Sequence, residues 1–214
     1  KHNWLMCWLY LGTFGSFIGY SAGLPLLISS QFPHVDAMRF AFLGPLVGAL
    51  SRPVGGWMAD KLGGAPVTFW NFVLMAFAAG GVLAFLPRDG SAGNFGGFLA
   101  LFILLFLATG IGNASTFRMI PVIFLTTHQR SMIATSEEAK AEAKKNADRE
   151  SAAVLGFTSA IAAYGGFFIP KSFGTSIGIT GSPDAALWGF IAFYASCIAI
   201  TWWFYSRGNA EVKC

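Results

Sequence analysis

Phe98-Leu99-Ala100-Leu101-Phe102-Ile103-Leu104-Leu105-Phe106-Leu107-Ala108-Thr109-Gly110-Ile111-Gly112-Asn113-Ala114-Ser115-Thr116-Phe117 carries no charged side chain, and the apolar run continues past Arg118 to Thr126. A bilayer's hydrocarbon core takes about 20 helical residues to cross. This stretch therefore reads as a transmembrane helix, and it sets the class of the whole chain. Hydrophobic residues make up 55% of the 214 and charged residues 11%, where a soluble domain carries about a quarter charged. The 26 glycines and 22 phenylalanines suit membrane helices, whose backbones approach closely at small residues.

Working outward, five further stretches are long enough to span: residues 4–29, 40–59, 67–86, 152–173 and 186–206, which with 98–126 make six. Turn residues separate them at Gln31-Phe32-Pro33-His34, Asp60-Lys61-Leu62-Gly63-Gly64, Pro87-Arg88-Asp89-Gly90 and Thr180-Gly181-Ser182-Pro183-Asp184. The expected fold is an all-α membrane protein of six transmembrane helices. Residues 127–151 form a mixed-charge connection, read as a cytoplasmic loop holding a short helix that Ser136 is placed to cap. The start at Lys1 reads as a cut from a longer protein, since no signal-peptide pattern precedes the first apolar run.

Basic residues orient the chain. With Lys1 cytoplasmic, the same side holds Lys61, Arg130, Lys140, Lys144, Lys145, Arg149, Arg207 and Lys213, against Arg39, Arg88 and Lys171 opposite. Both ends are therefore expected in the cytoplasm.

Two arginines, Arg52 and Arg118, fall inside spans, while every acidic residue falls in a connection or at a span end. An arginine at the bilayer centre costs from about 2.5 to more than 10 kcal/mol. Arg52 lies about 12 Å along the helix from Asp60, too deep for easy snorkelling. It either bonds to carbonyls of neighbouring helices or faces a water-filled pathway as an anion-binding charge. Arg118 is close to a span end, where a long side chain reaches the headgroups.

Histidines lie only in connections, and no metal-ligand spacing or catalytic constellation appears. The expectation is a protein with no metal, no cofactor, no nucleic-acid partner and no enzymatic activity. Cys7, Cys197 and Cys214 read as packing thiols.

Small residues concentrate where a path would run. Gly15, Gly19 and Gly23 share one helical face, suited to close packing. Tyr10 and Phe14 sit one turn apart, a phenol and a phenyl face able to orient a small planar anion. Gly112-Asn113-Ala114-Ser115-Thr116 is small and polar. Gly165-Gly166 and Pro170 weaken the fifth span, and irregular backbone at membrane depth belongs beside protein or a cavity.

Gly56-Trp57-Met58-Ala59-Asp60-Lys61-Leu62-Gly63-Gly64 resembles the loop motif G-x-x-x-D-[RK]-x-G of the major facilitator superfamily, with Gly56, Asp60, Lys61 and Gly63 as its motif residues. Gly44 to Gly56 resembles the arginine-bearing helix of the nitrate/nitrite porter family, the NarK-like proteins. Gly156 to Pro170 resembles that family's second nitrate-signature motif. The resemblance implies the C-terminal six-helix half of a twelve-helix transporter in the cell inner (plasma) membrane. Residues 1–214 would form that half, partnered by an N-terminal six-helix half and the lipid bilayer.

The resemblance also implies nitrate/nitrite antiport by alternating access, within nitrate assimilation, with nitrate and nitrite as substrates. Arg52 would contact the anion, Tyr10 would hydrogen-bond it and Phe14 would pack on its planar face. Gly156 and Ser159 would line the path, and Arg118 takes no substrate role. The alternatives are proton-coupled nitrate symport and a membrane anchor or sensor that does not transport.

Overall fold

The computed structural model describes residues 1–88, 91–131 and 137–214. Asp89, Gly90 and the proposed cap at Ser136 lie outside the described residues. No β-strand occurs among the described residues. Helix α1 (His2–Tyr10) runs through a π turn (Leu11–Gly15) into α2 (Ser16–Gln31), forming one rod. A 3₁₀ turn (Ala37–Arg39) leads to α3 (Leu43–Leu62), α4 (Gly64–Phe85) and α5 (Phe95–Ser131). Then follow α6 (Glu137–Ala163), α7 (Gly165–Thr180), α8 (Asp184–Thr201) and a closing π turn (Trp202–Ser206).

Five of these rods are long and apolar enough to cross a membrane. Helix α3 has the 20 residues needed for about 30 Å, but glycines together with Arg52, Asp60 and Lys61 dilute its hydropathy. It compensates by packing closely on α5. A Cβ on Gly48 would meet the Phe106 carbonyl at 3.0 Å, and one on Gly55 would meet Ile111 Cα at 2.6 Å. The Ser51 hydroxyl bonds the Gly48 carbonyl at 2.9 Å and the Leu107 carbonyl of α5 at 3.0 Å. This multi-pass membrane protein holds its helices together through small residues and buried hydroxyls.

The second small-residue crossing joins α2 to α7. Backbone meets backbone at Gly15 and Gly165, where a Cβ on Gly15 would lie 2.8 Å from the Ala162 carbonyl. A Cβ on Gly19 would meet Ile169, and one on Gly23 would meet Phe173. The glycine face of the first rod thus packs against the fifth. The break between α6 and α7 falls at Tyr164, directly beside the crossing, while Pro170 is accommodated inside α7.

The charged stretch differs from the expected short helix in a loop. From Glu137 it is the first half of a helix that runs to Ala163. The physical reason is composition: alanine, lysine and glutamate are strong helix formers, and no glycine or proline interrupts them before Gly156. Ala143 and Ala147 are buried on its inner side. His128 at the end of α5 lies 2.7 Å from Glu150, tying the two helices.

An aromatic core fills the bundle. The fully buried Tyr20 ring contacts Phe102, Phe106, Phe173 and Phe190, with centroids 5.7–6.4 Å away. Its hydroxyl pairs with that of Tyr194, which in turn pairs with Ser16 at 2.9 Å. The burial of each phenol is therefore matched by a hydrogen bond.

Both chain ends meet at one end of the bundle. Glu211 pairs with Lys1, and Arg130 donates to the Glu211 carbonyl. The Ala65 amide donates to the Cys214 carbonyl at 3.2 Å. The bond to Lys1 holds the Glu211 carboxyl below the usual carboxylate range, and burial pushes the Cys214 thiol up to about 12. Exposed Trp4, Trp202 and Trp203 ring this end, the placement of an interfacial aromatic belt.

Candidate functional site

The π turn in the first rod sets one wall of the site. An extra residue per turn is rare and clusters at functional positions. Tyr10 ends the regular helix and Phe14 lies within the π turn. Their rings stack with centroids 5.3 Å apart and planes 28° apart. Tyr10 is 4% exposed, and its phenol interacts with the Ser159 side chain on α6.

Arg52 on α3 reaches the same place. Its guanidinium lies 4.7 Å from the Phe17 ring centroid and 5.7 Å from that of Phe14. Among the described residues it makes no ion pair. Its polar partner is Asn113 on α5. With the amide oriented to satisfy both neighbours, the Asn113 oxygen accepts from Arg52 Nε at 3.2 Å and Nη2 at 3.1 Å. The Asn113 nitrogen donates to the Tyr10 hydroxyl at 2.9 Å. The neighbour of Arg52 is thus a side-chain amide, an alternative to the backbone carbonyls considered from sequence.

Arg52, Tyr10, Phe14 and Ser159 are therefore brought together from three rods, with Asn113 joining from a fourth. Gly156, one turn before Ser159, is exposed, and a Cβ there would meet nothing within 4 Å. Asn113 was visible in sequence only as part of a small polar patch in an apolar run. Its position, 5% exposed and bridging two candidate residues, needed the packing of α1, α3 and α5.

The loop-motif residues form a separate group at the end of α3. Gly63 caps the helix at φ +91°, in the region that favours glycine. Lys61 Nζ sits 4.4 Å from the Trp57 ring centroid. Gly56 makes no close approach. Asp60 Oδ1 lies 2.6 Å from Arg118 Nε, a partner for Arg118 that its place near a span end did not name. Parallel packing of α3 on α5, which pairs Gly48 with Phe106 and Gly55 with Ile111, carries on to place the two charges side by side. Both side chains are more than half exposed, so the pair contributes at most about 1 kcal/mol. Asp60→Asn is expected to lower the thermal unfolding midpoint in detergent by no more than about 4 °C.

The chain is 50% identical to the nitrate/nitrite transporter NarU of Escherichia coli K12 across 99% of its own length, covering 46% of that relative. It is 48% identical to NarU of Salmonella typhimurium, over 96% of this chain and 44% of the relative. The chain belongs to the NarK-like family of the major facilitator superfamily. A third relative, the "Probable nitrate/nitrite antiporter NarK2" of Thermus thermophilus, is 36% identical across the whole chain, covering 44% of that protein. No family model matches. The NarK-like chain spans about half the length of the curated relatives it matches, and it corresponds to the C-terminal half of such a transporter.

Proposed function

We infer that this chain is half of a carrier that exchanges nitrate and nitrite by alternating access, rocking against an N-terminal half around a midplane site. The observation that carries the reading is Arg52, a guanidinium inside the membrane with aromatic faces and a neutral amide around it. A cation with no internal counter-charge favours an anionic guest. The planar fork of arginine matches a planar oxyanion through charge-assisted hydrogen bonds. Tyr10 would add a hydroxyl, Phe14 a ring face, and Gly156 and Ser159 a small polar wall.

The same arrangement explains obligatory exchange. An empty, closed site leaves Arg52 poorly compensated, whereas a bound anion relieves the charge, so the occupied carrier reorients more readily. The N-terminal half would supply the facing wall, and the lipid bilayer would surround both. The Asp60–Arg118 group, with Lys61, Gly56 and Gly63, would stabilise one end during rocking. We place the carrier in the inner (plasma) membrane with both ends of this half cytoplasmic, and assign it transport and no enzymatic chemistry.

Counterflow in proteoliposomes carrying the full-length protein tests the reading. Nitrate uptake is expected to require internal nitrite and to ignore an imposed proton gradient. Uptake into vesicles lacking nitrite, driven by that gradient, would replace exchange with proton-coupled symport. Nitrate binding with no flux under any gradient would instead make the protein a sensor.

A further inference from the structure

Two donors of the candidate site, Arg52 and Tyr10, share one neighbour whose chemistry is two-sided. An asparagine amide offers an acceptor on one atom and donors on the other. Here the oxygen faces Arg52 and the nitrogen faces the Tyr10 hydroxyl. Asn113 is 95% or so buried at 5% exposure, so its partners are set by packing and not by water. Its own helix is anchored to two neighbouring rods within one turn after this position. The Thr116 hydroxyl lies 3.0 Å from that of Thr13 in the π turn, and Ser115 lies 2.8 Å from Thr68 of α4.

We propose that Asn113 is a positioning residue that sets the donor polarity of the anion site. Its oxygen holds Arg52 Nε and one Nη2 hydrogen, which turns the remaining edge of the guanidinium outward to the guest. Its N–H group occupies a lone pair of the Tyr10 oxygen, so the phenolic hydrogen is released toward an acceptor. One amide thereby commits two side chains on different helices to donate in the same direction. A carboxylate at 113 cannot do both, because it has no hydrogen to give the Tyr10 oxygen. A carboxylate would accept from Tyr10 and reverse its hydrogen, and would also neutralise Arg52.

This inference rests on the anion-transport reading, and its test separates the two. Full-length wild-type, Asn113→Ala and Asn113→Asp proteins are reconstituted, and nitrate exchange is measured with chlorate as a pyramidal competitor. Asn113→Ala is expected to raise the KM for nitrate about tenfold, the loss of one hydrogen bond to a charged group, with kcat within about twofold. It is also expected to narrow the preference for nitrate over chlorate, because the guanidinium plane is no longer held. Asn113→Asp, nearly isosteric, is expected to lose nitrate binding while keeping the wild-type unfolding midpoint within a few degrees. A merely structural role would lower the amount of folded protein and leave KM and the nitrate-to-chlorate ratio unchanged, and that result overturns the proposal. If Asn113→Ala does not assemble, wild-type nitrate binding by Asn113→Asp overturns it equally. A wild-type protein that neither binds nor exchanges nitrate removes the transport reading and this inference together.

Discussion

Arg52→Lys in the full-length transporter is expected to cut nitrate uptake about 100-fold at equal membrane abundance. The substitution keeps the positive charge, so a purely electrostatic site would tolerate it. What is lost is geometry. The fork of Arg52 serves Asn113 with Nε and Nη2 and has further N–H groups left for a guest, whereas an ammonium offers three rotatable donors on a flexible stem. The flat guanidinium also lies over the Phe17 ring at 4.7 Å, a contact that a lysine reaching the same depth would remake poorly. Each hydrogen bond to a charged group contributes about 1.5–3 kcal/mol, so losing one or two accounts for the expected factor. Uptake is measured as labelled nitrate accumulating in cells against protein quantified in the membrane. Uptake near the wild-type rate would remove the arginine fork from the mechanism.

Gly110→Leu is expected to have the second large effect, although it touches no substrate. A side chain at 110 collides with the Gly48 carbonyl and the Ser51 hydroxyl of α3. The hydroxyl can rotate, but the carbonyl is backbone and cannot move without moving the helix that bears Arg52. Overpacking of this kind costs about 1–3 kcal/mol where the surroundings can yield, and backbone yields least. The expected outcome is a fall of several degrees in the unfolding midpoint, together with loss of nitrate exchange in whatever protein remains folded. Gly174→Leu is the matched control, since nothing lies within 4 Å of a Cβ there; it should leave both measurements near wild type. Equal tolerance at the two positions would mean that α3 and α5 are not locked at Gly110.

These two cases also show which parts of the molecule were legible before the structure. Arg52 stood out because a charge in an apolar run is expensive, and expense is a property of a single residue in its own helix. The same holds for the Tyr10–Phe14 pair, whose spacing along one rod announced a shared face, although the π turn between them left no mark in the residue pattern. The glycine face Gly15–Gly19–Gly23 was readable as a packing surface, but its partner on α7 was not. Asn113 and the Asp60–Arg118 pair were missed for one reason. Each interaction joins different helices, and periodicity within a helix carries no record of which neighbour it meets. In α6 the helix formers announce a short helix in the charged stretch, but not its unbroken run to Ala163, because the change from charged to apolar residues reads as a boundary.

The neutrality of Asn113 has an electrical consequence. Moving one elementary charge through the full membrane field involves about 2.3 kcal/mol per 100 mV. Had the cap of Arg52 been a carboxylate, the pair would have been electrically silent and each anion would have crossed as a bare negative charge. With an amide there, the guest itself completes the pair, so a monovalent anion seated on Arg52 travels as part of a locally neutral unit. The amide thus lowers the charge carried on each stroke, while one-for-one exchange of monovalent anions by itself makes the outward and inward strokes carry matching charge. The resting voltage of the cell neither drives nor opposes such a cycle, and the ratio of the two anions across the membrane alone sets its direction.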